Sequence, residues 1–231
     1  MRPPRCNRGA ALRSLLLLAV AAGAIAGPAR AAEINCEGGV AVVKAAIGAD
    51  AALACNGAVD AIAFLATFGI EPPARVPIDI VPRLFDGVRP TAVGLYRKAD
   101  GHVLALSYAE FRKHLTWFNL PIDRTLYRSL VAHEVAHAVA ASHFKVPSPS
   151  IQAREYIAYV TMLSTMPSDA RDRVLSQFRG VAFEGEWQMG VAIYLTDPMQ
   201  FGVRAYRHFQ GLSDARAYLH AILSGKILGG D

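Results

Sequence analysis

Apolar residues recur in two different rhythms along this chain. Before about residue 110 they fall in short runs bounded by turn residues. Val76–Val81 reads as a strand, and Pro77 favours a sheet edge for it because proline cannot donate to a ladder. Val93–Tyr96 and His102–Tyr108 flank Lys98-Ala99-Asp100-Gly101, where Asp-Gly supplies the positive backbone torsion of a tight hairpin turn. Ahead of these strands, residues 33–70 are apolar and rich in Ala and Gly. A helix is predicted there from Ala58 to Phe68, following Cys55-Asn56-Gly57 and stopped by Gly69 and Pro72-Pro73.

From Asp123 the spacing becomes helical. Asp123 suits an N-cap, and Leu126, Leu130, Val131, Ala138 and Ala141 keep one apolar face to about Phe144. Lys145–Pro147 form a short connection, Ser148 or Ser150 caps a second helix running to Met166, and Pro167 ends it. Ser168 and Asp169 open a third helix that closes at Gly180. Trp187–Leu195 fits either a strand or a helix, and Asp197-Pro198 marks a break. Strands first and helices later predict an α+β fold.

The first 31 residues have a character of their own. Arg2, Arg5, Arg8 and Arg13 make a basic start, Leu15–Ala26 an apolar run, and Ala29-Arg30-Ala31 has the A-x-A form. This is the pattern of a secretory signal peptide cleaved after Ala31, which predicts a periplasmic or secreted protein. The apolar run is shorter than the about 20 residues a spanning helix needs, and no later segment reads as a membrane helix. Charge looks different once the leader is set aside. The formal charge is +5, yet five of the 24 basic residues and none of the 19 acidic ones lie in the leader, so residues 32–231 are neutral. Nothing in that balance calls for a nucleic-acid partner. These 200 residues suit one domain, with 32–75 as a candidate small helical appendage. Cys6 belongs to the leader. Cys36 and Cys55 form an even pair in an exported chain, and a disulfide between them is expected to stabilise by about 3 kcal/mol.

The candidate chemistry lies on the helix that starts at Asp123. His133-Glu134-Val135-Ala136-His137 is an HExxH signature, and its histidines, four residues apart, project from one face one turn from each other. Two imidazoles so placed can bind one zinc ion while Glu134 leans toward a metal-bound water. The uncharged flanks, Leu130–Ala132 and Ala138–Ala140, suit a buried helix. Catalytic zinc normally has three protein ligands, and two residues compete for the third place. Glu155 is 18 residues after His137 on the second helix. His137 stands about 10 Å from the end of its helix and Glu155 about 8–10 Å into the next, so antiparallel neighbours would bring them level. His143 reproduces the outer spacing of HExxHxxGxxH, but the turning glycine is replaced by Ala140. If the helix continues there, His143 points away from His137. Glu155 is therefore favoured.

His133-Glu134-x-x-His137 followed by Glu155 resembles the zincin metallopeptidases, in particular their gluzincin branch, over residues 100–166. The resemblance implies a zincin-like α+β fold, zinc held by His133, His137 and Glu155, Glu134 as catalytic base, and a peptide or protein substrate. It also implies that His102–Tyr108 is the edge strand pairing with extended substrate. The branch often carries Asp four residues after the glutamate ligand, where this chain has Tyr159. Hydrolysis would have Glu134 take the water proton and pass it to the leaving amine. Tyr194, Tyr206 and His208 are candidates for a second oxyanion donor. Two alternatives stay open beside an exported zinc peptidase. One is a non-catalytic envelope protein that keeps the fold for binding or structure; the other is a metzincin-type peptidase using His143.

Overall fold

Alternating buried positions in the first hundred residues lay out a sheet. In β2 (Ala41–Ala45), Ala41, Val43 and Ala45 are buried while Lys44 faces out. The computed structural model describes residues 1, 32–85, 87 and 91–229; the leader from residue 2 to Ala31, with Cys6 and the expected cleavage site, lies outside the described residues. Among these, β1 (Ala32–Asn35), β2, β3 (Val76–Val81), β4 (Gly94–Arg97) and β5 (His102–Leu106) form one mixed sheet in the order β1-β2-β3-β5-β4. β2, β3 and β5 are mutually parallel, and both outer strands run antiparallel to their neighbours. The fold is α+β.

Pro77 does not mark an edge, because β3 lies between β2 and β5. Val76 donates to the Val40 carbonyl, so the next backbone position turns toward β5, where pairing begins only at Ile78 with Val103. The missing N–H therefore falls before that ladder starts. The expected edge strand also moves. β5 has a neighbour on each side, and β4, the first arm of the hairpin, is the edge.

A crossover helix, α1 (Gly48–Ala66), joins parallel β2 to β3. It begins well before Ala58 and runs straight through Cys55-Asn56-Gly57. Glycine inside a helix costs about 1 kcal/mol in propensity, but a Cβ at Gly57 would stand 2.4 Å from the Arg128 carbonyl oxygen. The glycine lets α1 lie directly on α3 (Arg124–Ala141), and Arg128 Nε donates to Asp60 at 2.7 Å across the junction. Contrary to the reading of the sequence, α1 is long and apolar enough by composition to cross a membrane; here half of that stretch is buried within the fold. A disulfide joins Cys36, at the end of β1, to Cys55 in α1. Residues 32–75 thus supply two strands and a helix to the shared core.

Behind the sheet, α3 packs on α1 and on α4 (Ile151–Thr165), and α7 (Pro198–Gln210) packs on α4. Two short helices precede α3 and follow α4: α2 (Tyr108–Phe111) and α5 (Ser168–Ser176), the latter ending short of Gly180. A small hairpin, β6 (Thr116–Trp117) with β7 (Leu120–Pro121), leads into α3. The stretch readable as strand or helix becomes a 3-10 turn, Glu186–Gln188, and α6 (Val191–Thr196). Asp197 then caps α7, with Pro198 in its first turn, and α8 (Ala215–Leu223) closes the fold.

Candidate metal centre

Two capped helices set the site. Asp123 accepts from the Leu126 N–H at 2.8 Å and starts α3, whose apolar residues bury it on nearly every side. Ser150 accepts from the Ala153 N–H at 3.1 Å and starts α4; the same hydroxyl donates to the Leu228 carbonyl at 2.6 Å, fixing the helix start against the C-terminal segment. α3 stops at Ala141 rather than near Phe144, so residues 142–150 connect the helices in place of the shorter Lys145–Pro147 link expected, yet the two still pack as neighbours.

His133 and His137 project from one face of α3 with their Nε2 atoms 3.2 Å apart. Glu155 reaches both from α4: Oε2 lies 3.4 Å from His133 Nε2, and Oε1 lies 3.6 Å from His137 Nε2. One ligand atom from each residue can be chosen so that all lie within 4.8 Å of one another. Two imidazole nitrogens and a carboxylate oxygen converging so closely, from side chains at most 15% exposed, fit a first-row divalent cation such as zinc. His143 is elsewhere. The helix ends at Ala141, and the His143 ring bonds the Glu71 carbonyl at 2.7 Å through Nε2.

Glu134 takes a different direction from its histidine neighbours and lies against β4. A Cβ at Gly94 would be 2.6 Å from Glu134 Cγ and 2.7 Å from Oε1, so the edge strand passes the carboxylate only because position 94 has no side chain. Burial pushes the Glu134 carboxyl up, and the Glu155 charge adds to it; the His133 charge and a backbone hydrogen bond from Tyr96 oppose them, leaving it raised to about 7. Burial also depresses His137, to about 4. His133 feels the same burial, but its contact with Glu155 outweighs it and the ring is raised. Glu155 is likewise disfavoured as an anion by burial, yet His137, His133 and the Tyr194 hydroxyl together hold it down at about 2.

Of the three oxyanion candidates, Tyr194 alone is brought to the site. It lines the cavity and hydrogen-bonds Glu155. Tyr206 faces Arg171, and His208 Nδ1 pairs with the Tyr156 hydroxyl at 2.7 Å. Tyr159, at the position where the gluzincin pattern often has Asp, packs its ring edge-to-face on His133 with centroids 4.5 Å apart. Glu155 meets that ring at Nε2, whereas His133 Nδ1 is buried with no hydrogen-bond partner among the described residues. On this side His133 therefore meets an aromatic ring and not a hydrogen-bonding group.

The site opens into a cavity of about 890 Å³, walled on one side by β4 and on the others by α3, the connection to α4, Trp117 and Met199. A family model matches residues 41–229, which include every residue of this site. The chain belongs to DUF6639, a family of unknown function. No curated protein and no solved structure matches it. What this DUF6639 member does must therefore be argued from the site itself. The sequence did not single out Gly94 or Tyr96. A glycine opening the first arm of a hairpin was the available signal, since glycine within a strand often marks close approach of another group.

Proposed function

We propose that this protein is an exported, zinc-dependent peptidase of the zincin type. The observation that carries the reading is the convergence of His133, His137 and Glu155, with Glu134 beside them packed on an antiparallel edge strand that walls an open cavity. His133, His137 and Glu155 would hold the ion. Zinc bound there supplies Lewis acidity and brings the pKa of its water toward 7.

The chain's own residues supply the rest. Glu134 is not needed as a ligand, and its raised carboxyl is suited to taking a proton near neutral pH and giving it to a leaving amine. β4 is the edge of the sheet; one of its outward N–H groups, that of Tyr96, is taken by Glu134, and an extended peptide could add as a further strand along the rest of that edge. Tyr194 steadies Glu155 through its hydroxyl and stands at the cavity wall, where it could also donate to developing negative charge. Export is consistent with the Cys36–Cys55 disulfide, which an oxidising compartment would preserve.

The direct test is Glu134→Gln. Hydrolysis of a mixed peptide library should fall at least about a hundredfold, in line with the loss of a general base, while zinc per chain stays unchanged. Loss of the metal in that variant would contradict the role given to Glu134. A wild-type protein that holds zinc stoichiometrically and cleaves nothing in the library would favour the non-catalytic binding protein instead.

A further inference from the structure

The cavity holds charges that catalysis leaves unassigned. Among the described residues lining it, the acidic groups are Glu134 and Glu155, both already part of the candidate centre. Its two cationic side chains other than histidine are Lys98 and Arg154, and neither forms an ion pair among the described residues. Both are exposed on the cavity wall and reach it from different elements: Lys98 follows the edge strand, and Arg154 precedes Glu155 in the first turn of α4. The Arg154 guanidinium makes one long hydrogen bond, Nε to the Ser150 carbonyl at 3.4 Å, and its charge acts on His137. It is therefore close to the metal-binding face, with most of its donors still available.

Charge balance then gives the cavity a sign. With a divalent ion bound, Glu134 and Glu155 are offset, and Lys98 and Arg154 leave the wall positive. Low-dielectric walls strengthen such a field compared with open water. Ordinary surface cations far from any cavity would carry no such meaning; these two line the same cavity as the reacting centre.

We infer that the cavity selects peptides carrying a carboxylate close to the scissile bond, with Lys98 and Arg154 as the residues that recognise it. The carboxylate can come from an acidic side chain or from a free C-terminus. Arg154 offers a planar fork matched to two carboxylate oxygens, whereas Lys98 adds a point charge from the strand side. The inference takes the peptide nature of the ligand from the proposed function, and its test is designed to fail separately.

The test uses full-length, zinc-loaded protein carrying Glu134→Gln, so that ligands persist. Isothermal titration calorimetry compares N-acetylated alanine peptides of equal length: one amidated and neutral, one with a free C-terminus, one amidated with an internal Glu, and one amidated with an internal Lys. Either or both acidic forms should bind at least about tenfold more tightly than the neutral peptide, and the Lys peptide more weakly. Whichever acidic form binds better identifies the source of the carboxylate. Raising the salt should narrow the gap. Adding Arg154→Gln and Lys98→Gln should remove most of the preference with zinc content unchanged. Equal affinity for all four peptides, no binding at all, or a preference that survives both substitutions would overturn the inference. Hydrolysis by the wild-type protein is scored independently. Selective binding without cleavage would sink the peptidase reading and leave the carboxylate site standing.

Discussion

At the scale of single residues, the centre depends on three carboxyl or imidazole groups buried at high cost and satisfied by one another. Glu134 is the exception. Its folded-state pKa of about 7 lies above the ordinary 4.5, so the folded protein binds the extra proton more tightly than the unfolded chain does. Stability from this group is full below the ordinary value and falls as pH rises toward 7. Glu155 goes the other way. Held at about 2, it contributes stability above 4.5 that is lost only as pH falls toward 2, so it is constant between pH 5 and 8. His137, depressed to about 4, favours the fold increasingly up to pH 6.5, equally in wild type and in a Glu134 variant. Urea unfolding of metal-free protein should therefore show Glu134→Gln gaining on wild type between pH 5 and pH 8, by about 2–3 kcal/mol. A gap that does not change across that range would mean the Glu134 carboxyl is not raised.

At the scale of elements, the helical half was legible from Asp123, Ser150 and Pro167, because caps and breakers act within a single turn. The HExxH helix followed from spacing, whereas Glu155 comes level with the histidines although α3 stops at Ala141, three residues before the end near Phe144 on which its expected height rests. The sheet was less legible. Strand order depends on contacts far apart in sequence, so Pro77 suggested an edge that β3 does not occupy, and the resemblance placed the edge on β5 rather than β4. The helix expected to begin at Ala58 starts at Gly48 and includes Gly57, whose need for glycine comes from Arg128 on another helix. Gly94 makes the same point at the site. In Gly94→Ala the new methyl would meet Glu134 Cγ, Cδ and Oε1 between 2.6 and 2.9 Å, and a carboxylate arm yields more easily than backbone. The fold should survive, zinc should stay bound, and kcat/KM of the proposed peptidase should fall by about a hundredfold as the proposed base is displaced by an ångström or so. Unchanged kcat/KM would show that the β4–Glu134 contact does not position the base.

At the scale of the molecule, sheet and helices share one core, and the disulfide ties its N-terminal part to the helix that packs on α3. Replacing Cys36 and Cys55 by Ser should lower unfolding stability by about 3 kcal/mol, measured by urea denaturation, with zinc affinity of the folded protein little changed because neither cysteine lines the cavity of the centre. A parallel collapse of zinc binding under native conditions would show that the N-terminal part holds the site as well as the fold. The central claim is that His133, His137 and Glu155 bind the ion while His143 does not. Zinc titration of wild type, Glu155→Ala and His143→Ala against a competing chelator tests it most directly. Glu155→Ala should lose well over tenfold in affinity, since losing a group that merely orients a ligand already costs about 10–100-fold, and His143→Ala should keep near-wild-type affinity. Retained affinity in Glu155→Ala with loss in His143→Ala would contradict it and require the histidine to leave Glu71 for the metal.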